Sequence, residues 1–385
     1  MKTNSTYNRS LAIPLVLLLF LLGACQPVPA APAQADPDAP LTVVATYSIL
    51  GDLVANVGGD HVNLITLVGP DGDAHTFEPT PADGVALTQA SLIFENGLEF
   101  ETWLDDLYTA AGAGAERVVV TDGIELRAME DEHGDEHGDE HGDEHEEHSD
   151  EEHSDEEHSD EEHSDEEHSD EEHSDEEHSD EEHSDEEHSD EEHADDEHAD
   201  EHGHHHGEFD PHVWHDVANG MLMVEAIRDA LSAADPDNAD AYAANADAYL
   251  AELAELDGWV TEQIESIPAE RRKLVTAHDT FGYFAARYGL EVVGTAIASF
   301  STEAADPSAG ELAELIETIQ AEGVPALFAE NISNPDLIER IAQEAGATIG
   351  APLYTDALGA ADTDGGTYMD MVRYNVTAIV TALSE

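Results

Sequence analysis

Residues 41–68 read LTVVATYSILGDLVANVGGDHVNLITLV, and this stretch decides the fold. Its two ends, 41–46 and 62–68, are rich in β-branched and other apolar residues and predict two strands. Between them, the apolar residues of 49–57 recur with helical spacing. A strand, a helix and a second strand in this order predict a parallel strand pair with a crossover helix, which is the unit of an α/β fold.

The same alternation continues on both sides of a long charged insertion. Further strands are predicted at 92–95, 117–120, 273–277, 291–295, 326–329 and 348–352. Further helices are predicted at 81–90, 100–111, 217–233, 281–288, 308–322, 335–344 and 369–383. Residues 236–267 are rich in Ala, Glu and Leu and predict one long helix that Pro268 ends. We therefore expect two α/β lobes with parallel-type sheets, joined by one long rigid helix.

These patterns divide the chain into five parts. We expect a signal peptide at 1–24, a flexible spacer at 25–40, an N-terminal lobe at 41–235, the linking helix at 236–267 and a C-terminal lobe at 268–385. An insertion at 130–208, the His-rich tract, interrupts the N-terminal lobe.

The His-rich tract holds 19 of the 24 histidines and 44 of the 91 acidic residues, with no Lys or Arg. Residues 146–190 repeat the unit Glu-Glu-His-Ser-Asp, whose period of five fits neither a helix face nor a strand face. With no large apolar side chain to bury, the tract is expected to be disordered without metal.

Imidazole and carboxylate together indicate binding of a divalent transition metal, and imidazole favours zinc, copper or nickel over calcium or magnesium. The alternative is a solvated acidic spacer that has expanded by repeat slippage. As accessory, low-affinity metal sites we consider the histidines at both ends of the tract and near the first repeats: His133, His137, His141, His145, His148, His153, His198, His202, His204, His205 and His206.

The formal net charge of −80 does not come from the tract alone, because 47 acidic residues outside it face 11 basic ones. Such a surface repels nucleic acid and anionic membranes and attracts cations. We expect no nucleic-acid partner, and a monomer.

The N-terminus predicts export. Lys2 and Arg9 precede an apolar run at 11–22 that is too short to span a bilayer of roughly 30 Å. The run ends in Leu-Gly-Ala-Cys, which resembles a bacterial lipobox with Cys25 as the lipidated residue. The protein would then be anchored by lipid to the outer face of the cytoplasmic membrane; the alternative is a plain signal peptide. Cys25 is the only cysteine, so an intramolecular disulfide and a thiolate site of several cysteines are excluded.

Four isolated residues outside the tract are candidate ligands of a specific metal site. His75, His278 and Asp356 each lie after a predicted strand, and His212 follows the tract directly. Ligands of α/β sheets bind at the carboxyl ends of strands, so two ligands from each lobe would place a metal in the inter-lobe cleft. Three imidazoles and one carboxylate suit tetrahedral Zn²⁺.

Each of these residues also has a structural alternative. A single histidine in a loop is often a capping or core residue, and an Asp after a strand is often a helix N-cap. Their shared position at strand ends favours the metal site. His61 and His215 lack this placement and are expected on the surface.

Several segments resemble the bacterial zinc/manganese family of solute-binding lipoproteins that serve ABC transporters, and within it the high-affinity zinc-uptake type. They are Asp-Ala-His-Thr-Phe-Glu-Pro at 73–79, Asn-Gly-Leu-Glu at 96–99, Trp-Leu at 103–104, Asp-Pro-His-Val-Trp at 210–214, Thr-Ala-His-Asp-Thr-Phe-Gly-Tyr at 276–283, Phe-Ala-Glu at 328–330, Tyr-Thr-Asp at 354–356 and Tyr-Met-Asp-Met at 368–371 with Asn375. The resemblance covers the chain from Leu41 onward except the tract. Ala74 departs from the proline that family members often have before the first ligand.

The resemblance implies a function. His75, His212, His278 and Asp356 map onto the family's four metal ligands, and the tract lies where zinc members often carry a shorter His-rich loop. Manganese members typically have a glutamate at the position of His278, so the nitrogen ligand implies zinc rather than manganese. The protein would capture Zn²⁺ and deliver it to an ABC permease, whose ATPase subunit supplies the energy.

Three other functions compete with this one. The first is a receptor for manganese or iron uptake. The second is a surface adhesion lipoprotein, because members of this family were often described as adhesins. The third, an enzyme with catalytic zinc, is disfavoured because four protein ligands close the open coordination position that catalysis requires.

Overall fold

The N-terminal lobe is built on a four-stranded parallel sheet. The structure, a computed structural model, describes residues 39–128, 209–302 and 307–384. The strands are β1 (Leu41–Tyr47), β2 (Val62–Val68), β3 (Leu92–Glu95) and β4 (Glu116–Val119). They are ordered β2-β1-β3-β4, and every neighbouring pair is parallel. β1 and β3 are almost entirely buried, as expected for central strands covered on both faces.

Helices cover this sheet. They are α1 (Ser48–Gly58), α2 (Pro81–Gln89), α3 (Leu104–Ala111) and α4 (Val217–Ala234). α2 begins with a capping box between Thr80 and Asp83 and has Pro81 in its first turn, where the missing N–H costs no hydrogen bond. α3 begins four residues later than the sequence predicts, because residues 100–103 form turns; before them, Gly97, Leu98 and Glu99 all have positive φ.

The linking helix is α5 (Ala239–Glu265). Its buried side chains recur every three or four residues and form one apolar stripe: Tyr242, Ala246, Tyr249, Leu253, Leu256, Val260 and Ile264. The helix runs unbroken through Gly258, which is surrounded by open space. α1, α4 and the C-terminal helix α9 (Tyr368–Ser384) pack against it, so α5 belongs to the same core as elements from both ends of the chain.

The C-terminal lobe repeats the parallel arrangement with shorter strands. β5 (Lys273–His278) pairs with β6 (Glu291–Ile297), and β7 (Ala326–Leu327) pairs with β8 (Thr348–Ile349). A hydrogen bond from Phe328 N to Val275 O joins the two pairs, and a parallel bridge between Glu330 and Leu353 extends the second. The remaining helices are α6 (Gly282–Tyr288), α7 (Ala309–Glu322) and α8 (Asp336–Ala345).

The predicted fold class, two α/β lobes with parallel sheets and one long helix, is confirmed. The exact limits of the domains stay a prediction. The signal peptide, Cys25, the spacer up to residue 38 and the His-rich tract with its histidines lie outside the described residues. Among the helices that are described, none is long and apolar enough to cross a membrane.

Candidate metal centre

The four predicted ligands come together in one buried cluster. One potential ligand atom from each of His75, His212, His278 and Asp356 lies within 4.8 Å of the others, and all four residues are buried. His75 lies in the loop after β2, and His212 precedes the short turn before α4. His278 is the last residue of β5, and Asp356 follows β8. The cluster therefore draws side chains from both lobes, and three of the four residues end or follow a parallel strand.

The loop that carries His75 is held by its own side chains and by aromatic packing. The His75 N–H donates to Asp73 Oδ1 at 2.9 Å, which closes a short turn ahead of the ligand. The imidazole packs edge-on against Phe100, with 4.6 Å between ring centroids. Trp103 Nε1 donates to Ala74 O at 2.8 Å. These contacts leave the Nε2 atom of His75 buried and without a hydrogen-bond partner among the described residues.

The imidazole of His212 is oriented by Asp210. Asp210 Oδ1 accepts from the main-chain N–H of His212 at 2.9 Å and from its Nδ1 at 2.8 Å. Because Nδ1 donates to a carboxylate, the lone pair of Nε2 is free for the centre of the cluster. Burial raises the pKa of Asp210 to about 7, while the hydrogen bond from His212 N and the positive charge of Arg127 oppose that rise.

His278 has a matching carboxylate partner in Glu330. Glu330 Oε2 lies 2.6 Å from His278 Nδ1, and Glu330 Oε1 accepts from the main-chain N–H groups of Ala277 and His278 at 2.9 and 3.0 Å. The carboxylate of Glu330 therefore holds both the main chain at the end of β5 and the imidazole ring of His278. As with His212, the Nε2 atom of His278 faces the cluster.

The carboxylate of Asp356 completes the cluster. Its carboxylate oxygens lie 3.5 Å from His75 Nε2, 3.6 Å from His212 Nε2 and 3.2 Å from His278 Nε2. The Nε2 atoms of His212 and His278 are 3.4 Å apart. In a tetrahedral site with bonds of roughly 2.0–2.1 Å, neighbouring ligand atoms are about 3.3–3.4 Å apart. These four separations are close to that value, and all four ligand atoms lie within 4.8 Å of one another.

The electrostatics of the cluster suit a cation. Burial alone would raise the pKa of Asp356, but His278, His212 and His75 outweigh that effect and hold the pKa well below its ordinary value. Burial lowers the pKa of His212 far below the ordinary value, which keeps this imidazole neutral. For His278 burial also lowers the pKa, but Glu330 and Asp356 outweigh burial and raise it well above the ordinary value. Without metal, the cluster therefore keeps a proton on His278.

The expectation that His215 lies on the surface is wrong. This residue is buried, its ring packs on Phe281 at 4.4 Å, and its Nε2 lies 3.2 Å from Thr280 Oγ1. Burial lowers the pKa of His215 to about 3, so it stays neutral and packs between the turn before α4 and the start of α6. His61 is half-buried, with its ring edge-on to Tyr242.

Sequence reasoning did not assign roles to Asp210 and Glu330. Both lie in segments that the sequence singles out, Asp-Pro-His and Phe-Ala-Glu. An acid two residues before a candidate histidine is a usable signal for Asp210. Glu330 is 52 residues from His278, and the two come together where the segment after β7 lies beside β5, joined to it by the hydrogen bond from Phe328 N to Val275 O.

Known proteins resemble this chain over most of its length. Residues 43–382 match the family described as ZnuA, zinc-uptake complex component A periplasmic. The zinc-binding protein TroA of Treponema pallidum is 30% identical over 348 residues, covering 89% of this chain and 89% of that protein. The manganese-binding lipoprotein MntA of Halalkalibacterium halodurans is 28% identical over 345 residues, covering 90% of this chain and 89% of that protein.

A solved structure agrees with these matches. The periplasmic zinc-binding protein TroA from Treponema pallidum superposes with a TM-score of 0.67 at 27% identity, covering 90% of this chain and all of that one. The names of the relatives are divided between zinc and manganese.

Proposed function

The chain belongs to the family of zinc-uptake complex component A proteins, and from this premise we propose that its cargo is Zn²⁺, bound by His75, His212, His278 and Asp356. Membership makes it the substrate-binding component of a metal ABC transporter and not an enzyme, as the sequence predicted. Binding of a divalent metal follows from the same membership.

The observation that carries the proposal is the spacing of the four ligand atoms. The Nε2 atoms of His75, His212 and His278 lie 3.2–3.6 Å from the carboxylate oxygens of Asp356, and those of His212 and His278 lie 3.4 Å apart. Two of these atoms, His75 Nε2 and Asp356 Oδ2, are buried and lack a hydrogen-bond partner among the described residues. Buried polar atoms without partners are costly, and a bound cation would satisfy both.

The choice of zinc rests on the ligand types. Three imidazole nitrogens and one carboxylate form a four-coordinate set that suits Zn²⁺, whereas Mn²⁺ prefers six ligands that are mostly oxygen. The carboxylates of Asp210 and Glu330 on the far nitrogens of His212 and His278 make those ligands more basic and hold their rings, as in many zinc proteins.

We further propose that Cys25 carries the lipid anchor and that the protein hands zinc to a permease outside the cytoplasmic membrane. The His-rich tract would raise the local concentration of Zn²⁺, because dense carboxylates attract cations and imidazoles can ligate them. Deletion of 130–208 should then slow uptake at scarce zinc. Unchanged uptake would mean that the tract is a spacer.

A competitive titration tests the cleft site. The protein beginning after Cys25, with and without residues 130–208, is titrated with Zn²⁺ against a chelator of known affinity. We expect one tight site in both forms and its loss in His278→Ala, with His61→Ala, at a half-buried histidine outside the cluster, as the matched control. A tight site that vanishes with the tract, or survives in His278→Ala, would contradict the ligand assignment.

Manganese is the second candidate cargo, because relatives at comparable identity are named manganese-binding. The same titration with Mn²⁺ separates the two. Zinc binding stronger by several orders of magnitude supports the proposal, and stronger binding of manganese in the cleft would replace it.

A further inference from the structure

The residues on either side of the His-rich tract pair with each other beside the metal centre. Ala128 and Phe209 form an antiparallel bridge, and Asp210 N donates to Arg127 O at 2.9 Å. Asp210 directly follows Phe209, and the candidate ligand His212 is two residues further along the chain. The attachment point of the tract and one candidate metal ligand therefore lie on the same short piece of chain.

Arg127 and Tyr283 attach this piece to the start of α6 in the C-terminal lobe. Arg127 Nη1 donates to Gly282 O at 2.6 Å, and its main-chain N–H donates to Tyr283 Oη at 3.0 Å. Tyr283 Oη donates in turn to Asp210 O at 3.1 Å. The guanidinium also lies 5.9 Å from the centre of the Tyr283 ring. These contacts connect the two lobes only a few residues from His278.

The side chains of Arg127 and Asp210 both lie close to Gly282. A Cβ atom added to Gly282 would lie 2.8 Å from Asp210 Oδ2 and 3.2 Å from Arg127 Cζ and Nε. Asp210 Oδ2 and Arg127 Nε are both buried and have no hydrogen-bond partner among the described residues. The other oxygen of Asp210 is used by His212, and the positive charge of Arg127 nearby favours the ionised form of this buried carboxylate.

We infer that Arg127 is a positioning residue of the metal centre. Through Asp210 it fixes the ring of His212. Through Gly282 and Tyr283 it holds the paired segments at Arg127 and Asp210 against the lobe that carries His278. The inference rests on the proposed function, since it concerns the same cleft. Without Arg127 the buried carboxylate of Asp210 loses its compensating charge and draws in water, so the ring of His212 becomes free to rotate. Loss of such an outer partner typically weakens metal binding by roughly 10–100-fold.

Two measurements on the mature full chain test Arg127→Gln. The rate of Zn²⁺ release into excess chelator is measured after loading with less than one equivalent, so that the tight site is filled first. We expect release about tenfold faster or more than in the wild type. The absorption bands of Co²⁺, bound at the same low loading, report ligand geometry directly and should shift or lose intensity. Arg127→Lys keeps the charge and should recover part of both signals.

A pair of glycine variants tests the same contact without removing a charge. In Gly282→Ala the new methyl group must displace the carboxylate of Asp210 and crowd the guanidinium of Arg127, so faster zinc release and altered Co²⁺ bands are expected. Gly258→Ala in α5 meets open space and should behave as the wild type. Gly282→Ala decides the matter if Arg127→Gln fails to fold.

Unchanged release and unchanged Co²⁺ bands in folded Arg127→Gln, or in Gly282→Ala if only that variant folds, would overturn the inference. His278→Ala distinguishes this from failure of the proposed function. If His278→Ala abolishes tight binding while the Arg127 and Gly282 variants behave as the wild type, only the role of Arg127 is wrong. If His278→Ala binds zinc as the wild type does, the cleft itself is not the zinc site.

Discussion

At the scale of single residues, the carboxylates behind the histidines decide how well the centre is formed. Glu330 holds His278 Nδ1 and two main-chain N–H groups with one side chain. Glu330→Gln keeps the shape but offers only one acceptor oxygen, so some of these hydrogen bonds must be lost. We expect zinc affinity to fall roughly 10–100-fold, measured by chelator competition. Glu322→Gln, the same change on an exposed residue of α7, is the control, and an equal loss there would contradict the role of Glu330.

The carboxylate of Glu101 is buried and accepts hydrogen bonds from Thr46 Oγ1 and from the main-chain N–H groups of Asn96 and Gly97. Burial raises the pKa of Glu101 to about 7, despite these hydrogen bonds. The folded state therefore holds this proton at a pH where the unfolded chain, with a pKa near 4.5, has released it. The contribution of Glu101 to stability is full below pH 4.5 and is lost as the pH rises through 7.

Urea denaturation of the metal-free protein between pH 5 and pH 8 measures this contribution. Part of the decline in the free energy of unfolding over this range should disappear in Glu101→Gln, which cannot titrate. Glu99→Gln, two residues away and exposed, should keep the wild-type slope. Equal slopes in all three proteins would show that the Glu101 carboxyl titrates alike in the folded and unfolded states.

At the scale of elements, the bridge between Ala128 and Phe209 makes the tract separable from the fold. Ala128 and Phe209 face each other across an antiparallel bridge. A two-residue turn such as Asn-Gly should therefore be able to connect them in place of residues 129–208. We expect the shortened protein to keep its thermal midpoint within a few degrees and its tight zinc site within about threefold, because the contacts of Arg127 remain. A large fall in either quantity would mean that the tract itself stabilises the folded lobes.

Elements were predictable from the sequence where local pattern decides them. The spacing of apolar residues predicted both ends of β2 and β3 correctly and the ends of α5 to within three residues. It did so because the buried side chains of a strand or a helix recur at a regular spacing. β7 and β8 are shorter than predicted, because beyond them the pairing of the two segments continues only as the bridge between Glu330 and Leu353. The four candidate ligands were found from strand ends and motifs, whereas the burial of His215 and the partner of His278 depend on pairing between distant segments.

At the scale of the whole molecule, the metal centre is a junction between lobes, and occupancy should therefore stabilise the entire fold. Each lobe contributes two of the four candidate ligands, so an ion that binds the folded state alone adds RT ln(1 + [L]/Kd) to its stability, about 2.7 kcal/mol when free zinc is 100 times Kd. Zinc should raise the thermal midpoint of the wild type and leave that of His278→Ala nearly unchanged, as measured by circular dichroism. An equal rise in both proteins would place the stabilising ion elsewhere, for example in the tract.

Acid should reverse this stabilisation. Glu330 and Asp356 raise the pKa of His278 well above the ordinary value, so the metal-free cluster holds a proton there that zinc must displace. His212, whose pKa is lowered by burial, is already neutral and releases none. Binding should therefore release about one proton for each ion, and the affinity should fall about tenfold for each pH unit below neutrality. Titration calorimetry in two buffers of different ionisation enthalpy counts that proton directly. A proton count near zero, with an affinity independent of pH between 6 and 8, would mean that His278 is neutral before zinc arrives.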